Sequence, residues 1–80
     1  MTLSQAFAKR LTELLTKNNI SKYRLEKDTG LTHSTLRHIF NSNTKNVMLS
    51  SIARVAVFFN MTFVEFFDSP IFNLENIDFE

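Results

Sequence analysis

The chain contains no cysteine, a single glycine and a single proline in 80 residues. The missing cysteine excludes disulfides and Cys-containing zinc sites, and is compatible with a reducing compartment. No apolar run approaches the roughly 18 residues that read as a membrane span. The opening MTLSQAFAKR has the pattern of an amphipathic helix, not of a basic leader before an apolar stretch, so no signal peptide is expected. Repeats, low-complexity tracts and interdomain linkers are also missing. What the chain does have is apolar mass, with 44% hydrophobic residues and nine Phe. That suffices for one core in one domain near the lower size at which a domain folds unaided.

The formal net charge of +1 hides an asymmetry. All nine Lys and Arg lie between Lys9 and Arg54, opposed there only by Glu13, Glu26 and Asp28. Residues 1–64 therefore carry +6, whereas residues 65–80 hold five acids and no base, a formal −5. A basic body fits a polyanion, because released counterions favour phosphate contacts. A solvated surface with an acidic tail has the same charge pattern.

Apolar spacing predicts an all-α body of five helices. Leu3, Phe7, Leu11, Leu14 and Leu15 form one stripe over residues 3–17, started by a capping box of Thr2 and Gln5. Lys17-Asn18-Asn19 reads as a frayed end, and Ile20 as the apolar anchor entering the next helix. Ser21 is a good N-cap for a helix to about Thr29, and Gly30 suits the left-handed residue that ends it. Thr32 opens a helix of roughly 33–41, and the polar run Asn41 to Asn46 reads as a loop. Leu49, Ile52, Val55, Ala56 and Phe59 form a second stripe over about 49–59, with Asn60 as its terminator. Thr62 and Glu65 then cap a short helix that turns Phe63, Phe66 and Phe67 inward and stops before Pro70. The expected organisation is a domain over 1–69 and an acidic, apolar C-terminal extension over 70–80.

The most informative stretch is Ser21 to Asn41, SKYRLEKDTGLTHSTLRHIFN. It reads as two short helices around a tight turn at Gly30, anchored by Leu25, Leu31, Leu36 and Ile39. On the second helix His33, Ser34, Arg37 and His38 share a broad outward face while Leu36 and Ile39 point in. A helix-turn-helix needs this layout, since one helix must be held while the other offers polar side chains to a DNA groove. Arg37 can take guanine O6 and N7 together, typically worth about 1–3 kcal/mol of discrimination. Histidine can donate or accept at a base edge.

The run S-x-x-x-L-x-x-x-x-G-L-T-x-S-T-L-x-x-I from Ser21 to Ile39 resembles the lambda-repressor/Cro family, also called the xenobiotic-response-element family of helix-turn-helix proteins. I-A-R-V-A at 52–56 and N-M-T-F-V-E-F-F at 60–67 resemble that family's fourth and fifth helices, so the likeness runs from about Phe7 to Phe67. The resemblance implies a five-helix DNA-binding domain that takes double-stranded DNA in the cytoplasm of a bacterium or phage host, as a homodimeric repressor on a palindromic operator. It makes His33, Ser34 and His38 base readers with Arg37 beside them. It places Lys22 where the family usually has a phosphate-contacting Gln, gives Thr32 and Thr35 phosphate or cap roles, and lays Asn43, Thr44 and Lys45 along the backbone.

Three positions depart from the family pattern. Glu26 stands where a small residue, usually Ala, lets the two helices approach, so its carboxylate should turn outward or pair, with Lys22 or His38 as partners. Thr29 replaces an apolar residue, a slight weakening of the core. Val57 and Phe58 are apolar on the solvent side of the fourth helix.

The segment beyond the resemblance, Ile71 to Glu80, mixes Phe72, Leu74, Ile77 and Phe79 with acids. It packs back over Val57, Phe58 and Val64, or tail and helix surface together form a homodimer contact, which suits operators with half-sites about 34 Å apart, or the tail frays. The tail also supports a rival reading, an antitoxin or antagonist acting mainly through a protein partner. Other chemistry finds little footing. His33 and His38 are about 140° apart on a helix and lack Cys or a converging carboxylate, so no metal is expected. Ser34 and His38 have no third orienting group and no Gly-rich turn, so neither catalysis nor a cofactor is expected.

Overall fold

Four of the five α-helices start at a hydroxyl residue that holds a backbone N–H. The computed structural model describes residues 1–41 and 46–79, with α1 at Leu3–Lys17, α2 at Lys22–Thr29, α3 at His33–Phe40, α4 at Leu49–Phe58 and α5 at Phe63–Phe67. Thr2 and Gln5 form the expected capping box on α1, and Thr62 and Glu65 form one on α5. The Ser21 hydroxyl accepts from the Arg24 N–H at 3.1 Å, and that of Thr32 from the Thr35 N–H at 3.1 Å. Each such cap is typically worth about 1 kcal/mol. Only α4 begins without a side-chain cap, at Met48.

The helix ends are equally local. Gly30 closes α2 with φ 74°. Asn60 closes α4 as expected, with φ 56°, the Met61 N–H reaching the Ala56 carbonyl at 2.9 Å and the Asn60 N–H that of Val57. The same double bond closes α1, where Asn19 has φ 54°, Ile20 N–H meets the Leu15 carbonyl and Asn19 N–H that of Thr16. Both are Schellman motifs in which Asn tolerates the left-handed conformation. Residues 17–19 are therefore an ordered helix stop and not a frayed end.

α1 lies against α3, and α2 against α4, so one core forms between the pairs. It holds Phe7, Leu11, Leu14, Leu15, Leu25, Leu36, Ile39, Val55, Ala56 and Phe66. Full burial of such side chains contributes about 1.5–3 kcal/mol each. Leu11, Leu25, Val55 and Phe66 are completely enclosed, so α1 beneath α3 and α4 beneath α2 seat the two helices. The apolar stripes are shorter than their spacing implied. Leu3 and Leu49 begin their helices outside the core and stay exposed, and the stripe of α4 starts inward only at Ile52. α5 has one turn, so it turns Phe66 fully inward while Phe63 and Phe67 keep 43% and 38% of their surface.

The C-terminal segment folds back, but not where the sequence placed it. Two 3₁₀ turns, Pro70–Phe72 and Leu74–Asn76, carry it to the start of α1. The Phe72 ring sits edge-on to Phe67 at 4.9 Å and tilted against Phe66 at 6.2 Å. Ile77 is buried, the Asp78 N–H donates to the Met1 carbonyl at 2.8 Å, and Thr2 and Asp78 form a parallel bridge. The Asp78 carboxylate also stands 3.1 Å from the terminal ammonium. Val57 and Val64 are left 77% and 80% exposed, so the tail does not cover them. Phe58 packs partly on the core and edge-on to Phe59, while Leu74 and Phe79 point to solvent. The reason is reach: once Phe72 docks on the α5 rings, the chain is committed to the α1 side of the molecule.

Candidate nucleic-acid interface

The α2–turn–α3 unit is fixed from beneath by Leu25, Leu36 and Ile39 and by half-buried Leu31. Thr29, the polar residue in this core, is not a weak point. Its hydroxyl donates to the Leu25 carbonyl at 2.7 Å and accepts from the Leu31 N–H at 3.3 Å, so the buried oxygen is satisfied. Arg54 reaches across from α4, and its Nη1 donates to the Thr29 carbonyl at 3.3 Å. This places a cation at the negative end of α2. A Cβ at Gly30 would lie 3.3 Å from that same Nη1, so the glycine serves both the backbone twist and the arginine's approach.

With Leu36 and Ile39 turned in, α3 presents His33, Ser34, Arg37 and His38 outward, all exposed. Thr32 and Thr35 are joined, the Thr32 hydroxyl donating to that of Thr35 at 2.8 Å, beside the cap bond already described. The two threonines thus build the start of α3 before they can meet anything else. Lys22 lies at the start of α2 with its ammonium 4.3 Å from the Phe40 ring centroid, a cation–π contact that holds the charge next to the end of α3. Asn43, Thr44 and Lys45 lie outside the described residues.

An open groove of about 350 Å³ runs between α2 and α3, with Lys22, Tyr23, Glu26, His33, Arg37 and Phe40 on its walls. Glu26 lines it and is paired, as expected, but its partner is neither Lys22 nor His38. Its Oε2 stands 3.3 Å from Nδ1 of His33, the first residue of α3. This pairing joins the two helices at the mouth of their turn.

The basic body is less free than its formal charge suggests. Arg10 donates from Nε to the Phe66 carbonyl at 2.8 Å and from Nη2 to that of Glu65 at 3.0 Å, so it caps α5. Arg24 pairs with Asp28 at 3.5 Å, and Arg54 caps α2. The exposed cation on the outward face of α3 is Arg37, with Lys22 beside it.

Residues 10–70 match the family described as Cro/C1-type HTH DNA-binding domain. The chain belongs to that family. No curated protein and no solved structure matches it. The Cro/C1-type match spans α2 and α3 entire, and gives the unit its chemistry: a DNA-binding fold, not a catalytic one. Among the described residues no helix is long and apolar enough to cross a membrane.

Within this Cro/C1-type domain two features escaped the sequence reading. Tyr23, 72% exposed on α2, faces the same groove as Lys22. Its one signal was position, one residue after Lys22, which the family resemblance marks as a phosphate contact. The Glu26–His33 pair had a signal too, a charge in place of a small residue, but its partner was decided by how α2 and α3 cross.

Proposed function

We propose that the protein reads specific double-stranded DNA sequences and represses transcription as a homodimer on a palindromic operator. The observation that carries this is the outward face of α3, where His33, Ser34, Arg37 and His38 stand exposed on a helix held by Leu36 and Ile39. Arg37 is suited to guanine O6 and N7, and Ser34 and His38 to neighbouring base edges. Lys22, Thr32 and Thr35 flank that face and fit the positioning role of phosphate contacts, which fix register without reading sequence. The second copy would take the apolar surface of α4 and α5, where Val57 and Val64 are bare, with Leu74 and Phe79 as further exposed groups.

The test is selection of bound duplexes from a random library at about 0.15 M salt. A palindrome with half-sites about 34 Å apart is the expected result. A single short half-site would overturn the homodimer. No enrichment would overturn sequence reading and shift the function to a protein partner.

A further inference from the structure

We infer that Glu26 is a positioning residue that fixes the tautomer of His33 and so selects an amine-bearing base, adenine or cytosine, at one position of the DNA site. The inference rests on the DNA-reading function proposed above and concerns what one reader can accept. A carboxylate only accepts hydrogen bonds, and a neutral imidazole has one donor and one acceptor nitrogen. The nitrogen 3.3 Å from Glu26 Oε2 is Nδ1, so a proton there completes the hydrogen bond, and in the neutral ring Nε2 is then the acceptor. The His33 side chain is 76% exposed. Glu26, by contrast, keeps only 32% of its side-chain surface exposed, on the groove between α2 and α3.

An acceptor at a major-groove edge meets a donor only on adenine N6 or cytosine N4, whereas guanine N7 and O6 and thymine O4 are acceptors themselves. His33 held in this form thus favours A or C and is repelled by G or T. Without Glu26 the ring is free to carry its proton on Nε2, and guanine becomes acceptable. The two cations on the groove wall, Lys22 and Arg37, donate only, and neither can hold the proton on Nδ1.

Two measurements at pH 8, where an imidazole is neutral, test this. The first reads the ring ¹⁵N chemical shifts of His33 in the free wild-type protein and in Glu26→Ala. The wild type should show a protonated Nδ1 and a bare Nε2, and the variant should move toward the opposite tautomer. Wild-type protein with its proton on Nε2 would overturn the inference. The second repeats the duplex selection with the wild type, Glu26→Ala and His33→Ala. One position per half-site should favour A or C in the wild type, admit guanine with a roughly 2- to 10-fold change in relative affinity in Glu26→Ala, and lose preference in His33→Ala. An unchanged preference in Glu26→Ala would overturn it. A purely electrostatic role for Glu26 at the start of α3 would change stability and leave the tautomer alone. An Nδ1-protonated ring with no enriched sequence would overturn the DNA-reading function itself, so the two failures are distinguishable.

Discussion

The helix-turn-helix and the C-terminal segment, which is about half as long, are held by different means. Over residues 21–40 the caps and turn bonds are close in sequence: Ser21 bonds Arg24, Thr29 bonds Leu25 and Leu31, Thr32 bonds Thr35, and Gly30 makes the turn between them. Over residues 70–79 short turns are completed by one contact at the far end of the chain, Asp78 on Met1. Phe72 rests on the α5 rings, Ile77 is buried, and Asp78 bonds Met1. Local caps define an element before tertiary structure forms, while distant contacts must first offset the entropy of closing a long loop. The difference suits their surfaces. The first region keeps a polar face bare on a rigid base, and the second uses its few apolar groups to complete the base.

The contrast can be broken at its anchors. Leu25→Ala removes a fully enclosed side chain beneath α2, and should cost about 2–5 kcal/mol in denaturant unfolding. A cost under 1 kcal/mol would mean that α2 is not seated as described. Gly30→Ala forces a side chain into φ 74° against Arg54, with an expected cost of about 1–2 kcal/mol. Thr32→Ala deletes the α3 cap, and about 1 kcal/mol should follow, with faster hydrogen exchange at the start of α3. Asp78→Asn sharpens the other side. Its carboxylate is 77% exposed beside the terminal ammonium, so unfolding should change by no more than about 0.5 kcal/mol. A larger loss would show that the tail is held by charge and not by Phe72 and Ile77.

The same contrast explains what could be read in advance. Five helices, four N-caps and the closures at Gly30 and Asn60 are encoded by residues a few positions apart, and the spacing of polar and apolar side chains shows them. The outward face of α3 is visible in the same way, because Leu36 and Ile39 fix which side is inward. Side-chain destinations across the fold have no such signature. Arg10 and Arg54 look like free cations in the sequence but cap α5 and α2. Glu26 finds His33 because of how two helices cross, and the tail's path is decided by where Phe72 finds rings to pack on. The stripes overreach for a related reason, since periodicity gives the side a residue faces but not whether a neighbour covers it, as at Leu49 and Phe63.

The central claim is that the exposed α3 face reads bases, and Arg37→Ala tests it most directly. The affinities of wild type and variant for the selected duplex and for a random duplex would be measured in the same salt. Arg37 is exposed, so folding should be little affected. The expected result is a loss of about 1–3 kcal/mol on the selected duplex and a much smaller one on random DNA, narrowing the ratio between them. Equal losses on both duplexes would make Arg37 a phosphate contact and contradict the reading of α3 as the sequence-reading helix.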